Sequence, residues 1–161
     1  MAKKFYKCAK CGNIISKYVD SGVPVVCCGE PMMELVANST DAAGEKHVPV
    51  VEVNGNKVIV KVGEVAHPMT EAHLISWIYL ETNFGGHERV LSHTDEPKAE
   101  FVLADGEKAL RAYEYCNLHG LWSAEVTLLT PISSVNLPYT FGQPVPAIYP
   151  RRAGCPALGR K

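Results

Sequence analysis

Four cysteines crowd the start of this chain, as CAKC (Cys8, Cys11) and CCG (Cys27, Cys28), in a segment too short to bury a core of its own. Segments below about 40 residues usually need a metal, disulfides or a partner to hold a fold. The opening MAKKFYKCAK is basic and has no apolar run behind it, so no secretory signal is expected and the setting is read as reducing. In that setting a cysteine cluster reads as a metal site rather than a disulfide framework, and thiolate coordination would supply the missing folding free energy. A CxxC pair on a turn suits a zinc ribbon and a rubredoxin-like iron site alike. Adjacent Cys27 and Cys28 demand more: both sulfurs reach one tetrahedral ion only if the backbone bends sharply, and Gly29 is placed to permit that bend.

Beyond Asn38 the chain turns β-rich. Residues 50–53 and 57–62 flank Asn54-Gly55 and predict a hairpin, with Asn-Gly supplying the positive φ angles of a type I′ turn. Further strands are predicted over 74–81, 88–92, 99–103, 109–115 and 121–128, separated by Gly, Pro, Asn and Asp. Seven short strands and no long helix predict an all-β fold, a β-sandwich behind the small cysteine module.

Charge narrows the function. The net charge of −1 hides an asymmetry: all 17 acidic residues lie at or before Glu125, whereas Arg151, Arg152, Arg160 and Lys161 lie near the C-terminus. The first 125 residues carry 12 basic against 17 acidic groups, which argues against a nucleic-acid binder. No stretch approaches the roughly 18 apolar residues of a spanning helix, so the expectation is a cytoplasmic protein with no membrane contact.

A second set of metal-ligating residue types is spread through the sandwich: His47 in EKHVPV, His67 in HPM, His73 in EAH, and Cys116 with His119 in YCNLHG. A single histidine near an apolar strand is more often packed or solvated than ligating. These five, however, sit at predicted strand ends, where loops converge. His87 and His93 belong to no such motif and read as solvent-facing. Trp77, Tyr79, Tyr113, Tyr115 and Trp122 read as core or site wall.

In this order CAKC, CCG, EKH, HPM, EAH and YCNLHG resemble desulfoferrodoxin, the two-iron superoxide reductase family, over roughly residues 1–126. The CxxC-then-CC arrangement is similar to that of desulforedoxin, where the ion is iron. The resemblance implies a desulforedoxin-like (rubredoxin-like) four-cysteine iron module over residues 1–37 and an immunoglobulin-like superoxide reductase domain over 38–128. It implies two non-haem irons, one held by Cys8, Cys11, Cys27 and Cys28. The other would be held by His47, His67, His73 and His119 in a plane with the Cys116 thiolate on the axis, leaving the opposite position open. Superoxide would be reduced there to hydrogen peroxide, with a rubredoxin-like protein as electron donor and a homodimer as the assembly. Lys46 is expected near the open position, attracting superoxide and hydrogen-bonding bound peroxide through water; Glu45 is expected to fill that position in the oxidised resting state. Backbone amides of the 117–119 turn are candidates to hydrogen-bond the Cys116 sulfur. Two readings from other classes stay open: an iron electron-transfer protein whose second site is closed to substrate, and a zinc-ribbon interaction module fused to a sandwich.

Residues 129–161 depart from the family. Pro131, Pro138, Pro144, Pro146, Pro150 and Pro156 interrupt the segment without periodic apolar pattern, which predicts an extended or disordered tail, with Cys155 unpaired.

Overall fold

The computed structural model describes residues 2–127; the Pro-rich tail and Cys155 lie outside them. Near the N-terminus, β1 (Phe5–Lys7), β2 (Ile14–Ser16) and β5 (Met33–Leu35) form an antiparallel sheet in the order β2-β1-β5, and β3 (Val26–Cys27) and β4 (Glu30–Pro31) form a separate hairpin. Cys28 (φ 52°) and Gly29 (φ 81°) make the two-residue turn of that hairpin. Positive φ at both central positions is the type I′ geometry, and it is the bend that adjacent cysteines require.

Behind this module stand a single helical turn, α1 (Gly44–His47), and seven strands: β6 (Pro49–Asn54), β7 (Lys57–Val62), β8 (Ile75–Thr82), β9 (Gly85–Val90), β10 (Lys98–Val102), β11 (Ala109–Cys116) and β12 (Gly120–Glu125). They pair antiparallel in two sheets, β10-β7-β6 and β12-β11-β8-β9, the three-plus-four division of an immunoglobulin-like sandwich. The predicted strands are all present, with ends displaced by at most three residues. The first hairpin turn differs. Asn54 pairs with Lys57, so the turn is Gly55-Asn56 rather than Asn54-Gly55, with positive φ at Gly55 (63°) alone. That is the pattern of a II′ turn. Among the described residues no helix is long and apolar enough to cross a membrane.

Alternation sets the core. Val58, Val60 and Val62 of β7 face inward against Ile78 and Leu80 of β8 and Ala112 and Cys116 of β11. The β11 strand is unusual in burying both faces. Its outward Tyr113 and Tyr115 join Leu121 and Phe5 of the module in a second cluster, where the Phe5 ring lies 4.9 Å from Trp77 and 5.4 Å from Tyr113. Burying one such ring is worth about 1.5–3 kcal/mol, so the short module borrows apolar contact from the sandwich. The connection between them is stitched at Asn38 (φ 58°). Its amide donates to Leu121 O, and its side chain exchanges two hydrogen bonds with the Ser123 main chain.

Candidate metal centres

The four N-terminal cysteines converge. Cys11 and Cys27 Sγ are 3.6 Å apart, and Cys27 and Cys28 Sγ 3.9 Å. Four sulfurs at about 2.3 Å from one tetrahedral ion would be about 3.8 Å apart, so the spacing fits a shared cation. None of the described cysteines is in a disulfide. The turn after Cys8 is closed by Gly12 N–H to Cys8 O, and Cys8 N–H donates to Asn13 O. Amide N–H groups, that of Cys11 foremost, bring the Cys8 thiol down to about 6, whereas neighbouring sulfurs, Cys11 first, push Cys28 up to about 12. The cluster thus favours a thiolate at Cys8 and disfavours one at Cys28, until a cation compensates the charge.

The second group is assembled from three loops. In α1, Val48 N–H bonds to Gly44 O and the turn ends because Pro49 holds Val48 extended (ψ 122°). His47, the last residue of the turn, is buried, and its Nδ1 lies 2.8 Å from Ala43 O. His67 Nδ1 is tethered to Pro68 O at 2.7 Å. These bonds turn both Nε2 atoms inward. Cys116 ends β11, at a register shift against β8 that follows Tyr115, and His119 lies in the turn leading to β12. Bulges of this kind re-aim side chains beside functional sites.

The four rings form a closed cycle, each roughly perpendicular to the next: His47 to His67 (74°), His67 to His73 (81°), His73 to His119 (73°) and His119 to His47 (83°). His47 therefore stands opposite His73, and His67 opposite His119. One ligand atom from each histidine and Cys116 Sγ all lie within 4.8 Å of one another. His47 Nε2 and His119 Nδ1 are 2.9 Å apart, against about 3.0 Å for two nitrogens at right angles and roughly 2.1 Å from one ion. Cys116 Sγ lies 3.4 Å from His119 Nδ1 and 3.6 Å from His67 Nε2. The buried His73 Nε2 has no hydrogen-bond partner among the described residues, which suits a nitrogen that donates to a cation. Burial holds His47, His67 and His73 below the usual imidazole range, His67 down to about 4, so these rings are neutral donors at neutral pH.

The two sides of the ring cycle differ. Beneath it Cys116 is fully buried in the sandwich core. Burial pushes its thiol up, while the backbone amides of His119 and Leu118 favour the thiolate, in line with the role expected of that turn. Above it lies an open depression of about 410 Å³ lined by the four histidines with Asp41, Ala42, Ala43, Lys46 and Pro68, and without Cys116. Lys46 is thus at the rim. Glu45 is exposed and is not part of this lining; its carbonyl accepts the Val65 N–H. Trp122 is a site wall, stacked on His47 at 5.0 Å with Nε1 donating to His119 O. Trp77, Tyr79, Tyr113 and Tyr115 lie in or against the second cluster.

Two sequence expectations need correction or addition. His87 is not simply solvent-facing: it is half-buried, 2.9 Å from Glu107 Oε1, whereas His93 is exposed. Glu114 is fully buried two residues before Cys116, both its oxygens lack partners among the described residues, and burial pushes it up to about 9. A neutral carboxylic acid there spares the Cys116 sulfur a neighbouring negative charge. Its only sequence signal was a lone charge inside the aromatic run AYEYC.

Comparison with known proteins agrees with this geometry. A family model described as Desulfoferrodoxin matches residues 39–125, and one described as Desulfoferrodoxin, N-terminal domain, matches residues 2–35. The desulfoferrodoxin of Syntrophotalea carbinolica is 51% identical over 127 residues, covering 78% of this chain and 99% of the relative. That of Nitratidesulfovibrio vulgaris is 46% identical over 122 residues, covering 76% and 95%. Among solved structures, the superoxide reductase from Treponema pallidum superposes with a TM-score of 0.67 at 39% identity, covering 78% of this chain and all of that one. With its longer family match spanning more than half of its length and relatives near half identical over almost their whole lengths, the chain belongs to the desulfoferrodoxin family.

Proposed function

We propose that this chain reduces superoxide to hydrogen peroxide at the four-histidine, one-cysteine cluster, taking one electron and two protons per superoxide. The observation that carries the reading is the two-sidedness of the site: five soft and borderline donors converge with the thiol sealed below and the imidazole face open to a small anion above. An electron-transfer centre closed to substrate has no use for that opening. His47, His67, His73, His119 and Cys116 would hold ferrous iron, which when bound supplies the electron and a Lewis-acidic open position.

The remaining work falls to the chain's own groups. Lys46 places a positive charge at the rim of an acidic body, where it attracts the anion and orients water toward it. The neutral rings avoid competing for protons, which enter from solvent through the open face. Amides of Leu118 and His119 stabilise the Cys116 thiolate, and Trp122 holds the His47 ring plane. Glu45 does not line the depression, so its part in closing the open face of the oxidised state rests on the family resemblance.

In this reading residues 1–37 form a four-cysteine iron module that relays electrons from a rubredoxin-like donor, and residues 38–128 form the reductase domain. The tail, 129–161, is left without a role. A homodimer follows from the family resemblance, and we take the cytoplasm as the setting. The test is stoichiometric: reduction yields one peroxide for each superoxide consumed, whereas dismutation yields half as much and releases dioxygen. Iron analysis of the same sample should give two irons per chain; zinc at the cysteines and no metal at the histidines would overturn the assignment.

A further inference from the structure

A ring that ligates must be held in plane, and the four histidines are not held alike. His47 and His67 are tethered through Nδ1 to the carbonyls of Ala43 and Pro68. His119 shares a turn with Cys116 and has its carbonyl bonded by Trp122. The buried Nε2 of His73 has no hydrogen-bond partner among the described residues, and its ring packs edge to face against His67 and His119. What fixes His73 is its main chain, gripped from both ends. Thr70 closes one side: its N–H donates to His73 O at 2.9 Å, and His73 N–H is shared between Thr70 O at 3.2 Å and Oγ1 at 3.1 Å. Asn117 closes the other. Its Nδ2 donates to Ala72 O at 3.0 Å, its Oδ1 accepts Leu74 N–H at 3.0 Å, and its own N–H donates to Leu74 O at 3.1 Å.

We propose that Asn117 is a positioning residue of the five-donor site, a clamp that fixes the loop of His67 and His73 against the turn of Cys116 and His119. The side chain suits the task because it offers a donor and an acceptor at one reach, matched to the carbonyl before His73 and the amide after it. Aspartate keeps the acceptor and loses the donor; alanine loses both. The inference rests on reading the cluster as a metal centre, and outer-shell partners of metal ligands typically carry a 10–100-fold share of affinity.

The test uses the full chain carrying Asn117→Ala or Asn117→Asp, titrated with ferrous ion alone under anaerobic conditions, with hydrogen exchange at the Leu74 amide followed in the metal-free proteins. We expect Asn117→Ala to lower ferrous affinity at the five-donor site by about tenfold or more, to shift the visible band of its oxidised form, and to leave the four-cysteine site loaded. Asn117→Asp should recover part of the affinity, and Leu74 exchange should rise in the order parent, Asp, Ala. Unchanged affinity and spectrum in Asn117→Ala would overturn the proposal, as would an Asp variant no better than Ala. A loss of affinity with Leu74 protection intact would also overturn it, since the clamp would then not be the cause. If the parent chain takes up no ferrous ion at the histidines, the functional reading fails; the exchange order in the metal-free proteins still decides whether Asn117 holds the His73 loop.

Discussion

Replacing Gly63 with alanine should disturb the site from a position that touches no ligand atom. Gly63 follows β7 with φ 78°, and its N–H donates to Val48 O. Two residues later Val65 N–H donates to Glu45 O, so this loop is the seat on which the turn carrying Lys46 and His47 rests. A Cβ at residue 63 would lie 2.7 Å from Lys46 Cα and carbonyl carbon and 2.5 Å from Val65 O. Carbon atoms sit comfortably only at about 3.5 Å, so the turn and its seat must part by about 1 Å. An alanine at positive φ costs about 1–2 kcal/mol. Weakening the two hydrogen bonds adds about 0.5–1.5 kcal/mol each. The sum, about 2–5 kcal/mol, is a large share of a typical stability of roughly 5–15 kcal/mol and should lower the melting temperature by about 10 °C.

The kinetic consequence is larger in proportion, because displacements of about 1 Å in a preorganised site cost on the order of a hundredfold. Stopped-flow reaction of pre-reduced Gly63→Ala protein with superoxide should therefore be about 10–100-fold slower than the parent, read beside a thermal melt of the same samples. If the variant melts with the parent, the close approach is not a feature of the molecule. If it melts lower yet reacts at the parent rate, residue 63 supports the fold but not the seat of Lys46 and His47.

Three other perturbations separate the parts of the site. Cys116→Ser should abolish superoxide reduction while iron analysis finds the four-cysteine site still loaded, because the clusters share no ligand; near-parental activity would remove Cys116 from the axis. Lys46→Ile should slow superoxide capture about five- to tenfold, the range for an exposed charge acting through a watery dielectric, and should flatten its salt dependence; parallel salt slopes at equal rates would make Lys46 an ordinary surface charge. Glu107 accepts from Thr82 Oγ1, His87 Nε2 and the Ala104 amide, and these bonds, Thr82 first, hold it down to about 2. Because its folded pKa is depressed, its stabilisation is complete above the ordinary carboxylate range and is lost as pH falls toward about 2. The urea midpoint of the parent should then drop more steeply than that of Glu107→Gln between pH 5 and pH 2, a window bracketing roughly 4.3 and the depressed value; parallel curves would refute the assignment.

The strands and both donor sets were legible in the sequence for one shared reason: each depends on residue type at short range. Alternating valines at 58, 60 and 62 specify a face whatever lies opposite, and cysteines and histidines at strand ends are few enough that their positions carry information. What escaped depends on partners distant along the chain. The turn at Gly55-Asn56 moved one residue because pairing of Asn54 with Lys57 sets the register. His87 appeared free because Glu107, 20 residues away, became its neighbour only on folding. The amides of Asn38 and Asn117 bind main-chain atoms, which every residue possesses, so nothing in the sequence marks their partners.

Glu45 and Lys46 show where the limit lies within a single motif. Adjacent residues on a helical turn point about 100° apart, so a turn that brings Lys46 to the rim of the depression directs Glu45 away from it. Reading EKH as a strand edge would have placed the two on opposite faces; reading it as an unstructured loop would have left both free to reach the site. Residues suited to hold an ion are constrained by chemistry and can be picked out by type. Those that aim them are constrained by the backbone, here Pro49 ending α1 and Gly63 seating it. A substitution at Gly63 or Asn117 therefore tests the architecture of this centre in a way that removal of a ligand cannot, because it leaves every donor present and changes only where the donors stand.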